Sequence, residues 1–415
     1  MIKKYCSIIF LTLLFSCSED NQSDHGGIYT SASNKINSSL DVNFIRKDVE
    51  PIINEELNHR FQKMSMDYLW GDSVLIYPVE NKIYHVNIIS GAFRVVEIPE
   101  YEVRNEIIYA YPISMDSILT IQRMPPILMI NDSKGKVLYK ENLPFFDFDV
   151  DNLWWKTMNL ALDKGSFNYN LQPLRSIYYD KKKNWVYIPF LPVDYIFLDK
   201  VENAQTIGAF DLEKKDWQYG LGAAQGLMKF RGDKNYTGIF DRNYFLVKGD
   251  TTYLTYPISH HAFLLDTESG ELIDEVIASP IDADAIPEPV EKELVSSSDF
   301  VRLNEWQSGS PFYSELAYHK SVNLFSRIYF HKKSVVDGFK GSYWEDRKTT
   351  LLVFDHDLNL IEEIDLDPKV FQLWRFIPTS KGYLVSEMNL QRELENSDVI
   401  KLGYTAEYIL DVSDN

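Results

Sequence analysis

The residues of this sequence best suited to chemistry are a few histidines, two runs of alternating aspartates and several tryptophans. His260 and His261 are adjacent, and His319 lies on a later strand-like segment. Imidazole nitrogens converging on one point would make a metal or general-base site. Neighbouring positions of a strand face opposite ways, so His260 and His261 cannot readily share one ion. One of them meeting His319 is the arrangement that a metal-centred lyase would need. The plainer reading is polar residues at a strand junction, and no metal is expected. Asp147, Asp149 and Asp151, like Asp282 and Asp284, alternate as calcium ligands do. Neither run has the glycine and closing glutamate of an EF-hand loop, so both read as solvated acidic loops. The sequence has no His-Glu-x-x-His pair, Gly-Lys-Ser/Thr phosphate loop, GxGxxG or Gly-x-Ser-x-Gly elbow. No catalytic residue is assigned and no cofactor is expected. Trp154, Trp155, Trp306, Tyr343 and Trp344 stand on segments that interrupt the chain's rhythm. Such rings stack on sugars, anchor a partner protein, or pin an insertion to the body beneath it.

The elements that position these residues are strands. The 415 residues include 26 Tyr and 24 Phe, which favour the half-buried pleated surface, and 45% hydrophobic content supports a packed core. With 61 acidic against 42 basic residues the charge is −19, which argues against a nucleic-acid partner, since phosphate binding depends on Lys and Arg. Short alternating runs recur, and five share one pattern: an apolar residue, Asp or Asn, three variable residues, a turn residue, then an apolar residue two further on. They are Val86-Asn87 with Gly91 and Phe93, Ile130-Asn131 with Gly135 and Val137, Phe210-Asp211 with Lys215 and Trp217, Leu265-Asp266 with Gly270 and Leu272, and Phe354-Asp355 with Asn359 and Ile361. The Asp or Asn side chain bonds the turn backbone, and Gly or Asn tolerates the left-handed conformation that reverses the chain. Lys215 departs from the pattern.

The first two copies lie 44 residues apart and match upstream as well, at Asp72-Ser73-Val74-Leu75 and Asp116-Ser117-Ile118-Leu119. About 40 to 50 residues is the length of one four-stranded β-propeller blade. The expected fold is all-β, a β-propeller of six blades near 65–99, 106–143, 175–221, 239–278, 315–367 and from Phe371 onward. Residues 41–47 would complete the sixth blade and close the ring, and seven blades are the alternative if 186–238 hides another unit. Insertions at 144–174, 280–312 and 332–348 break the repeat.

The start of the chain is an address. A basic Met1 to Lys4 leads into the apolar run Ser7 to Ser16, too short to span a bilayer. The run ends Leu14-Phe15-Ser16-Cys17, which resembles the lipobox of bacterial lipoproteins, where the cysteine sulfur carries lipid after cleavage. Residues 1–16 read as a signal peptide and 17–40 as a lipidated tether spanning about 25 Å, followed by one propeller domain over 41–415. Cys6 would be discarded with the leader and Cys17 acylated, leaving no free thiol. Ser18-Glu19-Asp20 looks like the export signal of surface-exposed lipoproteins in Bacteroidota.

Lipobox, polar tether and hairpin array together resemble the six-bladed β-propeller lipoproteins of Bacteroidota, which are uncharacterised in function and loosely similar to TolB-like propellers. The resemblance covers nearly the whole chain, but its motifs are structural and it carries no catalytic residues across. It implies an outer-membrane lipoprotein, surface-exposed or facing the periplasm. The expected function is a membrane-anchored module that binds a protein or glycan. The alternative is a propeller hydrolase or lyase acting on polysaccharide.

Overall fold

The computed structural model describes residues 28–29, 40–48, 68–70, 73–79, 81–90, 92–98, 107–114, 116–122, 127–143, 146–148, 153–157, 177–192, 205–223, 243–291, 300–333, 347–387 and 406–414. The strands β1 (Ile28–Tyr29) and β2 (Leu40–Asp48) come first and belong to the last blade. Blade one holds β3 (Tyr68–Trp70), β4 (Val74–Val79), β5 (Lys82–Asn87) and β6 (Phe93–Glu97). Blade two holds β7 (Ile107–Ser114), β8 (Ser117–Gln122), β9 (Ile127–Asp132) and β10 (Val137–Asn142). Blade three gathers β11 (Phe146–Phe148), β12 (Leu153–Thr157), β13 (Tyr178–Asp180), β14 (Trp185–Pro192), β15 (Gln205–Asp211) and β16 (Asp216–Ala223). Blade four is β17 (Tyr244–Lys248), β18 (Thr251–Thr255), β19 (His261–Asp266) and β20 (Leu272–Ile277).

The helix α1 (Phe300–Gly309) precedes blade five, which is β21 (Phe312–Tyr313), β22 (Ala317–His319), β23 (Leu324–Phe330), β24 (Thr349–Phe354) and β25 (Leu360–Leu366). Blade six is β26 (Phe371–Pro378), β27 (Gly382–Glu387) and β28 (Ala406–Asp414), completed by β2 and then β1. These six antiparallel sheets form a ring, a six-bladed β-propeller. First strands of successive blades meet around it: β26 touches β22 and β3, β3 touches β7, and β7 touches β13. The described residues of 186–238 belong to β14, β15 and β16 of blade three, and the sheets number six, not seven.

Burial follows position in the blade. β23 and β24 are buried along their whole length, because neighbouring blades cover both faces of a middle strand. The outermost β10 alternates between half-buried and exposed. Facing middle strands build the core. Ile76 and Ile83 pack with Ile107, Ile118 and Met129 between blades one and two, and Tyr253 and Ala262 pack with Phe325, Leu352 and Phe354 between blades four and five.

The turns at the third-to-fourth strand junctions use the expected chemistry. The Oδ1 atoms of Asn87, Asp211 and Asp266 accept from the amides two and three residues on, and that of Asp355 from the amides two and four residues on. Two details differ from the sequence pattern. In blade two the turn is held by Asp132, which accepts from Lys134 and Lys136, because strand β9 runs one residue longer; Asn131 is buried and donates to Thr120 Oγ1 at 3.0 Å. In blade five the left-handed residue is Leu358 (φ 64°), not Asn359. Lys215 takes the left-handed conformation itself (φ 60°), and its Nζ sits 2.8 Å from Glu141 Oε2 of the preceding blade. Gly135 (φ 82°) is needed for space too: a Cβ there would lie 2.2 Å from the Glu97 carbonyl oxygen of blade one.

Candidate functional site: the loop-bearing face between blades four and five

Antiparallel alternation sorts the connections between strands onto two ends. First-to-second and third-to-fourth strand turns share one end and run two to five residues. Second-to-third connections and the links between blades share the other, and from that end leave the long segments 49–67, 98–106, 193–204, 224–243, 278–311, 331–348 and 388–405. Most of the long connections therefore start and finish at one end of the ring. Binding residues concentrate on loops held by a rigid scaffold.

Among the described residues at this end, a buried polar cluster lies where blade five meets blade four. Arg327 of β23 is fully buried, and its guanidinium donates to three backbone carbonyls: Nε to Ser314 at 3.0 Å, Nη1 to Ser259 at 3.0 Å and Nη2 to Tyr256 at 2.7 Å. The planar fork spans a gap that lysine's single ammonium could not. It also lies 4.1 Å from the centroid of the Tyr313 ring, a cation–π contact. Burial lowers its pKa to about 10, so it stays charged at neutral pH.

Tyr313 Oη is hydrogen-bonded to His260 Nδ1 at 2.5 Å, and burial pushes the phenol well above its usual range. Beside it Tyr329 donates to Asp284 Oδ2 at 3.0 Å and accepts from the Asp284 amide at 2.9 Å. The same Oδ2 accepts from the Lys332 amide and lies 3.7 Å from His331 Nδ1. Thr350 donates to Asp365 at 3.2 Å, so at 2.9 Å it accepts from His331 Nε2, which fixes that imidazole's proton. Burial lowers the pKa values of both His260 and His331. Arg347, 1% exposed, donates from Nη1 to the Ser310 carbonyl at 2.9 Å, and burial lowers its pKa to about 10.

The sequence candidates fall in several places. His260 points to Tyr313 of blade five, whereas His261 Nδ1 lies 2.8 Å from Glu275 of its own blade. His319 is fully buried at the opposite end, between the Thr379 carbonyl (2.9 Å) and Ser326 Oγ (2.6 Å), with Tyr383 Oη 2.6 Å beyond. The three histidines do not converge, and among the described residues no three His, Cys, Asp or Glu side chains are grouped to hold a metal ion. The Ser326–His319 pair has the spacing of an activated nucleophile, yet both residues are wholly buried and tie blade five to blade six. Asp284 is no free acidic loop but the pin of its insertion.

Trp306, on α1, donates Nε1 to the Glu288 carbonyl at 2.9 Å and packs against the core. The sequence pattern puts Trp154 and Trp155 on an insertion outside the blades. Their backbone instead forms β12, which pairs Trp155 with Pro192 at the loop-bearing end of β14. An aromatic run of high strand propensity takes the free edge that the short β13 leaves on β14. In blade five β21 holds the same place, so Phe312 and Tyr313 are its counterparts. Tyr343, Trp344 and Cys17 lie outside the described residues. Sequence reasoning missed Arg327 and Arg347; the one trace of Arg327 is a lone charge in the apolar run LFSRIYF.

A smaller cleft of about 320 Å³ opens at the other end, between blades one and two, lined by Val74, Ile76, His85, Phe93, Arg94 and Ser114 among others. Burial, helped by Arg94, lowers the His85 pKa to about 4. The folded state therefore holds His85 neutral where the unfolded chain would protonate it. Stability from this group is complete above about pH 6.5 and is lost as pH falls toward 4. His260 and His331 act in the same direction. The urea midpoint should drop across that window, and His85→Phe should flatten part of the slope; an unchanged profile in the variant would assign the acid sensitivity elsewhere.

The fold has relatives among solved structures. No protein-family model matches the chain, and no curated protein does. A member of the DUF4221 family from Bacteroides vulgatus is similar over 90% of this chain and 99% of its own, with TM-score 0.66 and 12% identity. A protein of unknown function from Bacteroides caccae covers 79% of this chain and 93% of its own, at TM-score 0.40 and 12% identity. A candidate exported protein from Bacteroides fragilis covers 92% and 97%, at TM-score 0.43 and 10% identity. The first likeness shows the fold shared with the Bacteroides vulgatus protein, and at this identity it shows the fold alone.

Proposed function

We propose that this protein is a lipid-anchored binding module of the bacterial cell envelope, and that its loop-bearing face receives a protein or glycan partner. The observation that carries this reading is the asymmetry of the connections: long segments leave one end of the ring while the other end is trimmed to turns of two to five residues. Tight turns suffice to join strands, so the added chain serves something other than the fold. The Leu14-Phe15-Ser16-Cys17 run and the polar residues after it supply the anchor and tether. The strong negative charge suits solubility at an envelope surface.

Two experiments test the two halves. Replacing Cys17 with Ser should abolish lipid labelling and move the protein from the membrane to the soluble fraction; unchanged membrane association would remove the anchor from the proposal. Photo-crosslinking residues placed in living cells at Glu291 and Lys333 on the loop-bearing face, and at Lys134 and Glu268 on the other, should trap a discrete partner from the first pair. Equal trapping from the turn-bearing face would overturn the assignment of the binding face.

A further inference from the structure

Arg347 is a buried cation with an open bidentate edge. Its Nη1 is taken by the Ser310 carbonyl, but Nε and Nη2 are both shut off from solvent and have no hydrogen-bond acceptor among the described residues. The molecule shows elsewhere what that edge is suited to: Arg46 presents the same two nitrogens to Glu387, with Nε 2.9 Å from Oε1 and Nη2 3.0 Å from Oε2. A guanidinium held out of water without its anion is costly, and a carboxylate, sulfate or phosphate group matches the fork with two parallel bonds.

Among the described residues no carboxylate is bonded to that edge, although the charge of Asp284 acts on Arg347. Arg327 is a second buried guanidinium in the cluster, satisfied only by neutral carbonyls. The nearby carboxylate Asp284 is bonded through Oδ2 to Tyr329 and the Lys332 amide. The aromatic floor is Phe312, whose ring centroid lies 5.2 Å from the Arg347 guanidinium carbon. Helix α1 ends at Gly309, and the chain carries Ser310 directly against Arg347, so the residue is held by the insertion that precedes blade five.

We infer that the Nε/Nη2 edge of Arg347 is an oxyanion receptor, and that the ligand of the loop-bearing face carries a carboxylate, sulfate or phosphate group which pairs with it. The inference rests on the reading of that face as the ligand face and narrows the ligand to an anionic one. An acidic protein partners such a ligand only through a local cationic site of this kind, because its overall field repels it. Withdrawal from solvent strengthens the pair once formed.

The test is calorimetric titration of the full-chain protein in neutral detergent with sodium glucuronate, inorganic sulfate and inorganic phosphate, at fixed ionic strength set with chloride. At least one probe should bind saturably, and which one binds separates a uronic acid from a sulfated or phosphorylated ligand. Arg347→Lys, which keeps the charge but loses the fork, should weaken binding at least tenfold, while Arg302→Lys on the exposed face of α1 should leave it unchanged. If Arg347→Met folds, it should bind none of the three. Failure of all three probes with the parent protein, or equal binding by Arg347→Lys, would overturn the inference, since water would then suffice for the open edge. Crosslinking from Glu291 and Lys333 reports on the binding face independently of these titrations, so the two readings fail separately.

Discussion

A chain lacking residues 40–48 is expected to lose its cooperative unfolding transition altogether. β2 pairs with β28 over nine residues, from Leu40 opposite Asp414 to Asp48 opposite Ala406, and so joins the two ends of the described chain in one sheet. Its inward residues Val42 and Phe44 are 5% and 1% exposed. The Phe44 ring stacks on Tyr408 at 4.9 Å and meets Phe371 at 6.5 Å, while Arg46 pairs both nitrogens with Glu387, which also accepts from Tyr408 Oη at 2.7 Å. Burial of two such apolar side chains contributes about 3 to 6 kcal/mol, against a total stability of about 5 to 15 kcal/mol for a typical domain. Deletion also bares the edge of β28, a template for aggregation. The milder Phe44→Ala change should cost about 3 to 5 kcal/mol. Thermal melts followed by circular dichroism decide the matter: an unaltered transition after deletion would mean that blade six closes without β2.

The second large effect is expected at Arg327. Arg327→Met should destabilise the protein by about 2 kcal/mol or more, because the carbonyls of Ser314 and Ser259 would lose their guanidinium donor at about 1 to 3 kcal/mol each, while that of Tyr256 keeps the Ser259 amide at 3.1 Å. Removing the desolvated charge offsets part of this, as replacing buried ions by apolar groups often does. Arg327→Lys should recover little, since one ammonium cannot reach three carbonyls on two blades. The urea midpoint measures the loss. A shift below about 1 kcal/mol for Arg327→Met would show that the turn at 256–260 is held by its own hydrogen bonds instead.

These two positions illustrate what could and could not be read from sequence. The closing strand was legible because an unfinished sixth blade needs a partner and 41–47 alternates as a strand does. Arg327 was not, because its three acceptors are main-chain carbonyls, which have no residue identity to recognise. Trp155 was placed on an insertion because its partner Pro192 is remote in sequence, and a strand that adds to an edge leaves no local turn signal. Side-chain chemistry alone allows either Asn131 or Asp132 at the turn, and the length of β9 decides between them. The histidines drew attention by type, but His260 and His319 are held at opposite ends of blade five.

By itself the sequence determined the strands, the turns that reverse them and the number of blades, since each rests on contacts between residues near in the chain. Even Lys215, which breaks the turn pattern, sits in the turn its neighbours specify. The tertiary structure alone decided that the long connections start and finish at one end of the ring, that β12 adds to the edge of β14, and that Arg327 and Arg347 are buried where blade five meets blade four. Those features depend on which strand ends and carbonyls are brought together across the ring. Such pairing is set by the closure of the whole sheet array, and no local run of residues encodes it.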